Sequence, residues 1–390
     1  MEVSFPLPLG RVEGEGERVI MIKPYLGFWE RLARPIVALA PMDGITDLVC
    51  RVIVARHGRP DVLFTEFVHV QGLQYAPQRL FQSLDYTELE RPIVAQVYGH
   101  RPEDFYIAAF IVCELGFDGI DINMGCPAKK VTRRHGGAQL ITLPEIALEI
   151  IRTVRRAMGD WVGGKNLEDL NVRPKLIHAV REGQRQHALI PRPKDRRPLP
   201  YSVKTRLGYD TVTIESWIKT LLTESPATIS IHGRTLKQMY KGQADWEAIG
   251  QAAKIAQGSG TLILGNGDIT SLQQASDLIQ KSGVDGVLVG RGAIGNPWIF
   301  QNKAILRQVV NNHKNEDVPP PQISLEERFR LIMEHARLLE EVRGPRQYNS
   351  IKKHLVHYLS HFPNAAPLRA QAVQTKNVEE LRTLLERVVS

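Results

Sequence analysis

Pro35-Ile-Val-Ala-Leu-Ala-Pro-Met-Asp-Gly44 is a short apolar, partly β-branched run that stops at a proline and a polar turn. A run of that length bounded by turn residues is the pattern of a buried strand. The turn after this strand separates two α/β architectures. An open, doubly wound sheet that binds a dinucleotide carries Gly-x-Gly-x-x-Gly after its first strand, and Pro41-Met-Asp-Gly44 is not that pattern. Outward from here the same kind of run recurs at Val62–Glu66, Ile93–Val97, Gly119–Asn123, Tyr201–Lys204, Thr228–Ile231, Thr261–Leu264 and Gly286–Val289. Together with Ile36–Ala40 these are eight predicted strands. Helical patterns lie between most of them, as at Pro102–Leu115, Pro144–Met158 and Leu272–Lys281. Eight such units over about 265 residues predict a (β/α)8 TIM barrel.

The 390 residues are 43% apolar and 24% charged, enough for a sizeable core. No apolar run approaches the roughly 18 residues of a membrane span, and the acidic stretch Arg11–Arg18 is unlike a secretory signal. Three cysteines (Cys50, Cys113 and Cys126) exclude a disulfide scaffold, and no Cys-x-x-Cys pair points to zinc. A cytoplasmic, monomeric protein without a metal is expected. The net charge of +8 suits a polyanionic partner such as nucleic acid.

Two segments interrupt the rhythm. Residues 160–198 occupy the place of a short helix-to-strand connection and carry nine basic against five acidic side chains. An insertion that long predicts a surface excursion. After Phe300 the strands stop. A polar linker with Pro319-Pro-Pro321 leads to three predicted helices, Ser324–Val342, Tyr348–His361 and Val378–Val389, the first opened by the capping box Ser324-Leu-Glu-Glu327. The predicted organisation is an extension over 1–34, a barrel over 35–310 and a separate helical domain over 322–390.

In a barrel, chemistry belongs to the C-terminal ends of the strands. Those ends read Pro41-Met42-Asp43-Gly44, Thr65-Glu66, Gln96, Asn123-Met-Gly-Cys126-Pro127, Lys204-Thr-Arg206, His232-Gly-Arg234, Gly265-Asn266-Gly267-Asp268 and Gly290-Arg291-Gly292. Glycine-rich ends after the last two strands suit a phosphate, which bare N–H groups can approach, with Arg291 or His232 as a charged partner. Lys204 in the mouth can hold the electron-rich edge of a flavin, and Gln96 suits an amide-like heterocycle. Cys126 follows a strand and precedes Lys129, Lys130, Arg133 and Arg134. Cations favour its thiolate and apolar burial its thiol, and the sequence leaves both open. Cys50 and Cys113 fall in helical patterns and are expected to be structural.

These elements resemble the tRNA-dihydrouridine synthases. The resemblance rests on Ala40-Pro-Met-Asp-Gly-Ile-Thr-Asp47, Asp121-Ile-Asn-Met-Gly-Cys-Pro-Ala-Lys-Lys130, Gly136-Gly-Ala138, Val203-Lys-Thr-Arg-Leu-Gly208, Ile231-His-Gly-Arg-Thr235, Gly265-Asn-Gly-Asp268 and Val289-Gly-Arg-Gly292. It resumes in Ile351-Lys-Lys-His-Leu355 and Tyr358, which are similar to the family's helical tRNA-binding domain. The resemblance implies an FMN enzyme that reduces the C5=C6 bond of uridine in the tRNA D-loop, with NADPH as electron donor. It implies Pro41, Met42 and Asp43 along the flavin, Gln96 and Lys204 at its rings and His232 near it. Asn266, Gly267, Asp268, Gly290 and Arg291 correspond to the ribityl and phosphate site. Cys126 corresponds to the general acid and Asn123 to a residue holding the uracil. Lys129, Lys130, Arg133, Arg134, Arg206, Arg343, Arg346, Lys352 and Lys353 are expected to meet tRNA.

Two other readings stay open at this level. One is an FMN barrel that reduces a small molecule; the other is an RNA-binding barrel without catalysis. The basic insertion and tail favour RNA over the first, and the joint presence of Cys126, Lys204 and the glycine ends speaks against the second.

Overall fold

The computed structural model describes residues 23–77, 81–186, 196–313, 316–360 and 362–389. Its strands are β1 (Ile36–Leu39), β2 (Leu63–Phe64), β3 (Val68–His69), β4 (Ile93–Tyr98), β5 (Gly119–Met124), β6 (Tyr201–Arg206), β7 (Thr228–His232), β8 (Leu262–Asn266) and β9 (Gly286–Val289). All pairings are parallel, in the order β1-β9-β8-β7-β6-β5-β4-β2, and the short β3 pairs with β4. Two backbone hydrogen bonds, Leu39 N–H to Val62 O at 3.1 Å and Asp61 N–H to Val37 O at 2.9 Å, close the seam between β1 and β2. The expected (β/α)8 barrel is therefore present, with β3 as an addition.

Successive side chains of a strand point to opposite faces, and here that alternation divides the core in two. Val37, Leu39, Ala95, Ile122, Val203, Ile229 and Val287 pack outward beneath the helices. Ile36, Ala38, Phe64, Val94, Leu264 and Leu288 fill the barrel. The opposite half of the interior is polar: Gln96, Asp121, Ser202, Thr228 and Ser230 are all buried. Gln96, Asp121 and Ser202 of this wall bond to one another, which offsets the cost of burying them, whereas the Thr228 and Ser230 hydroxyls have no partner among the described residues; the site grows from the bonded part of the wall.

Trp29, in the 3-10 turn Gly27–Arg31, packs among the apolar interior residues at the floor of the barrel. Its ring stacks on Phe28 and lies 6.4 Å from Phe64. The later part of the predicted extension is thus a plug; residues 1–22 lie outside the described residues.

Much of the predicted excursion at 160–198 is ordered. Helix Pro174–Gln186 buries Leu176 and Val180 against the outer core. Arg181 pairs with Glu114 at 2.6 Å and with Glu168, while Arg196 donates to Trp161 O and Lys165 O, both at 2.7 Å. Glu114 ends helix Pro102–Glu114, at the pole opposite the strand C-termini. These two arginines hold the segment to the barrel. Arg192 and Lys194 lie outside the described residues.

Helix Leu325–Arg343 starts at its capping box: Ser324 N–H meets Glu327 Oε2 at 3.0 Å and Glu327 N–H meets Ser324 Oγ at 3.1 Å. The single helix expected over Tyr348–His361 is a 3-10 turn, Pro345–Ile351, followed by helix Lys352–Tyr358. Helix Ala365–Ala372 was not expected from the sequence; Pro367 lies in its first turn, where a missing N–H breaks no bond. Helix Val378–Val389 matches expectation. These elements share a core with Val49, Ile53 and Trp298 of the barrel. The contact is close at Gly295 (φ +71°), where an added Cβ would lie 2.4 Å from the carbonyl carbon of His357.

Trp29→Ala is expected to cost about 3–5 kcal/mol of stability by urea unfolding. A loss under about 1 kcal/mol would show that Trp29 does not seal the floor.

Candidate active site

The last interior residue of each strand faces the barrel mouth, and beneath it runs a chain of side-chain hydrogen bonds. Asp121 accepts from Ser202 Oγ at 2.5 Å and from Gln96 Nε2 at 2.7 Å. Gln96 Oε1 accepts from Asn123 Nδ2 at 2.9 Å. Asn123 Oδ1 in turn accepts the N–H groups of Gly125 and Cys126, at 3.1 and 2.9 Å. The amide of Asn123 therefore folds the turn after β5 and fixes Cys126 at the rim. Gln96 and Lys204, expected as strand ends, lie one repeat deeper, because β4 and β6 run on to Tyr98 and Arg206.

Lys204 donates to Asn266 Oδ1 at 3.1 Å, and Asn266 Nδ2 donates to Leu288 O at 2.8 Å. Burial, aided by Arg206, pushes the Lys204 ammonium down to about 8, against the pull of Asp121. His232 is held neutral far below its usual value by burial and then by Lys204, Arg206, Arg234 and Arg291. Arg206 is 3% exposed, and its Nε and Nη1 donate to the carbonyls of Gly125, Thr235 and Met239 at 2.7–3.1 Å. It staples the Cys126 loop to the loop after β7.

Asp268 (φ +56°) closes that side of the mouth. It accepts from Arg234 at 2.6 Å, Arg291 at 2.9 Å and Ala244 N–H at 2.8 Å. Burial would raise its pKa, but these donors hold it below the usual carboxylate range. For Cys126 the balance goes the other way. Burial raises its thiol pKa, and the Ala128 N–H, Arg206 and Lys130 do not undo the rise. Asp43, which adds to that rise, meets Lys130 across the mouth at 3.5 Å.

The cavity over this floor has a volume of about 1150 Å³. It is lined by Pro41, Met42, Asp43, Gln96, Asn123, Cys126, Lys204, Arg206, His232, Asn266, Gly267, Asp268, Gly290 and Arg291, so the strand-end residues expected from the sequence converge. Lys129, Lys130, Arg133 and Arg134 are exposed beside the Cys126 loop. Arg343, Arg346, Lys352 and Lys353 do not line the cavity; Arg343 donates to Gln82 O at 3.3 Å, and Lys353 donates to Gly44 O.

Sequence reasoning missed several members. Asp121 was signalled only by its place two residues before Asn123, on the same strand face. Arg234 stood in a quoted turn with no assigned partner. Tyr240 and Met239, 59% and 40% exposed on the cavity lining, carried no sequence signal beyond apolar residues in a polar loop. Arg328 and His357 line the cavity from the C-terminal helices, a contact that only the tertiary fold reveals.

A parallel barrel whose polar ring, buried cations and protonated thiol meet at the strand C-termini defines a barrel enzyme with its site at that face. The family model described as dihydrouridine synthase (Dus) matches residues 38–165 and 184–390. A probable tRNA-dihydrouridine synthase 2 of Bacillus subtilis is 34% identical over 92% of this chain and 95% of its own length. A probable tRNA-dihydrouridine synthase of Staphylococcus aureus is 32% identical over 92% and 94%. The chain belongs to the dihydrouridine synthase family. A solved morphinone reductase with tetrahydroNAD aligns over 78% of this chain and 98% of its own at 10% identity and a TM-score of 0.41, too distant to bear on function.

Cys126 is expected to be alkylated by iodoacetamide slowly at pH 7, with the rate climbing with pH and still climbing past about 8.5, where an ordinary thiol levels off. Fast alkylation at pH 7 would reveal a thiolate and remove the proton from the site.

Proposed function

We propose that this protein reduces the C5=C6 bond of uridines in the D-loop of tRNA, with FMN in the barrel mouth and NADPH as electron donor. The observation that carries the reading is the Cys126 thiol held at the rim of a cavity that overlies the half-buried Lys204, with burial raising the thiol pKa. Small-ligand sites span roughly 300–1,000 Å³, so a cavity of about 1150 Å³ has room for a cofactor together with a base.

The residues present fit FMN. Lys204 is a half-buried ammonium hydrogen-bonded to a neutral amide, an arrangement completed by an electron-rich ligand edge. Gly290 leaves open space: a Cβ there would meet Ala40 and Met42 only at 3.7 Å. Arg291 and Gly292 open a 3-10 turn, so their N–H groups have no acceptor within it and suit a phosphate beside Arg291. Bound there, FMN supplies the hydride for C6 of the uracil ring, with NADPH as its source.

The chain's own part is to bring the base in, hold it and protonate it. As C6 gains a hydride, C5 becomes carbanionic and takes the proton of Cys126 Sγ. The elevated pKa keeps that proton on sulfur at neutral pH. Asn123 sets where the thiol stands. Tyr240 offers an exposed ring at the mouth for stacking, and RNA is read mainly at splayed, unpaired bases. Lys129, Lys130, Arg133 and Arg134, exposed on the rim, suit the flanking phosphates. Arg343, Arg346 and Lys352, on the C-terminal helices, extend the basic surface away from the mouth.

Incubating the protein with FMN, NADPH and unmodified tRNA is expected to convert D-loop uridines to nucleosides carrying two more hydrogens, detected by mass spectrometry. Flavin turnover on a small enone with no such nucleoside would move the substrate to a small molecule. Cys126→Ala should bind flavin normally yet slow uridine reduction by about 10²–10⁴-fold; unchanged turnover would remove the general-acid role. FMN affinity should weaken as pH rises through about 8, because the charged form of Lys204 is the binding form and is lost above that value. Lys204→Met should flatten the profile, and a profile unchanged in that variant would place the titrating group elsewhere.

A further inference from the structure

The loop after β1 is tied down from three sides. Within it, Met42 N–H donates to Thr46 Oγ1 at 2.9 Å, and Ile45 and Thr46 N–H both reach Met42 O at 3.0 Å. From the end of β2, Glu66 Oε1 accepts Gly44 N–H at 2.5 Å, its pKa raised by burial. The third tie comes from about 300 residues further along the chain, where Lys353 Nζ donates to Gly44 O and stands 3.8 Å from Asp47 Oδ2. Asp47 is the N-cap of helix Leu48–His57 and accepts Cys50 N–H at 3.0 Å. One face of this loop, Met42, Asp43 and Ile45, lines the cavity.

A lysine on the basic C-terminal helices would ordinarily be assigned to RNA phosphate. The geometry here differs from that of a free phosphate ligand. The Lys353 side chain is one-third exposed, directed onto the loop after β1, and in contact with a carbonyl and a carboxylate. Helix Lys352–Tyr358, which carries it, also presents His357 to the cavity and packs against Gly295. A cation hydrogen-bonded to the carbonyl and ion-paired with the carboxylate would have to surrender both to take up a phosphate.

We propose that Lys353 is a positioning residue for the catalytic site: from the C-terminal helices it clamps the Met42–Asp47 loop, and does not contact RNA. The proposal rests on the reading of the cavity as the catalytic centre. It makes these helices part of the active-site wall as well as a surface for RNA. A loop displacement of about 1 Å can cost up to roughly 100-fold in rate without altering substrate affinity.

The test compares Lys353→Met with Lys353→Arg. For Lys353→Met the expected result is a fall in kcat of roughly 10- to 100-fold with an unchanged KM for tRNA. The salt dependence of tRNA binding should stay the same, and hydrogen exchange across residues 42–47 should speed up. Lys353→Arg, which keeps charge and donors, should restore most of the turnover. A salt slope shallower by about one, with loop exchange and kcat unchanged, overturns the proposal in favour of a phosphate contact; no change in any readout also overturns it. If Lys353→Met does not fold, acylation of the wild-type lysines decides. Lys353 should react slowly with and without tRNA, and protection that appears only with tRNA overturns the clamp. Loop exchange and acylation do not depend on turnover, so a wild-type protein inactive on tRNA would sink the catalytic reading and leave the clamp separately decided.

Discussion

The hydrogen-bond chain from Asp121 through Gln96 and Asn123 to the Cys126 N–H is the constraint on which the site depends. A polar wall inside a barrel is costly unless its members satisfy one another, since each unpaired buried group forfeits about 1–3 kcal/mol. Burial raises the pKa of Asp121, and the donors Ser202 and Gln96 oppose that rise. With its second end tied to Asp121, Gln96 can present only its carbonyl to Asn123. Asn123 is then left with its oxygen for the turn after β5. One orientation propagates from the centre of the barrel to its rim, and the thiol is placed as its consequence.

The same economy explains the electrostatics of the mouth. Burial, and after it Lys204, Arg206, Arg234 and Arg291, suppress the charge of His232, and Asp268 pairs with Arg234 and Arg291. The remaining positive potential faces the cavity, where it suits an electron-rich ring and a phosphate. Cys126 escapes becoming a thiolate because burial outweighs the Ala128 N–H, Arg206 and Lys130. A thiol this close to arginine and lysine keeps its proton through desolvation, which is the state an acid must occupy before the reaction begins.

The barrel was legible in the sequence because its signal is local and repeated. Eight apolar runs, each ending in glycine, proline or a polar residue, give both the strands and the ring of site residues at their ends. The capping box at Ser324 was legible for the same reason. Depth was not. Two residues of extra strand move Gln96 and Lys204 from the rim to the floor, and hydrogen-bond registry between neighbours sets such boundaries. Partners distant along the chain were also hidden. The arginines of 160–198 look like an RNA surface until Arg181 and Arg196 are seen bound to Glu114 and its surroundings. Lys353 looks like a phosphate ligand until Gly44 is found beneath it. In each case the sequence supplies the charge, and only the fold supplies the counter-group.

The most direct measurement is a crystal structure of the FMN-loaded Cys126→Ala protein with a tRNA carrying unmodified D-loop uridines. The expected result is one uridine extruded into the mouth beside Tyr240, its C5 edge facing residue 126, and rim phosphates near Lys129 to Arg134. A tRNA bound along the C-terminal helices with no base in the cavity, or a base whose C5 edge faces away from residue 126, would contradict the proposed route of the proton.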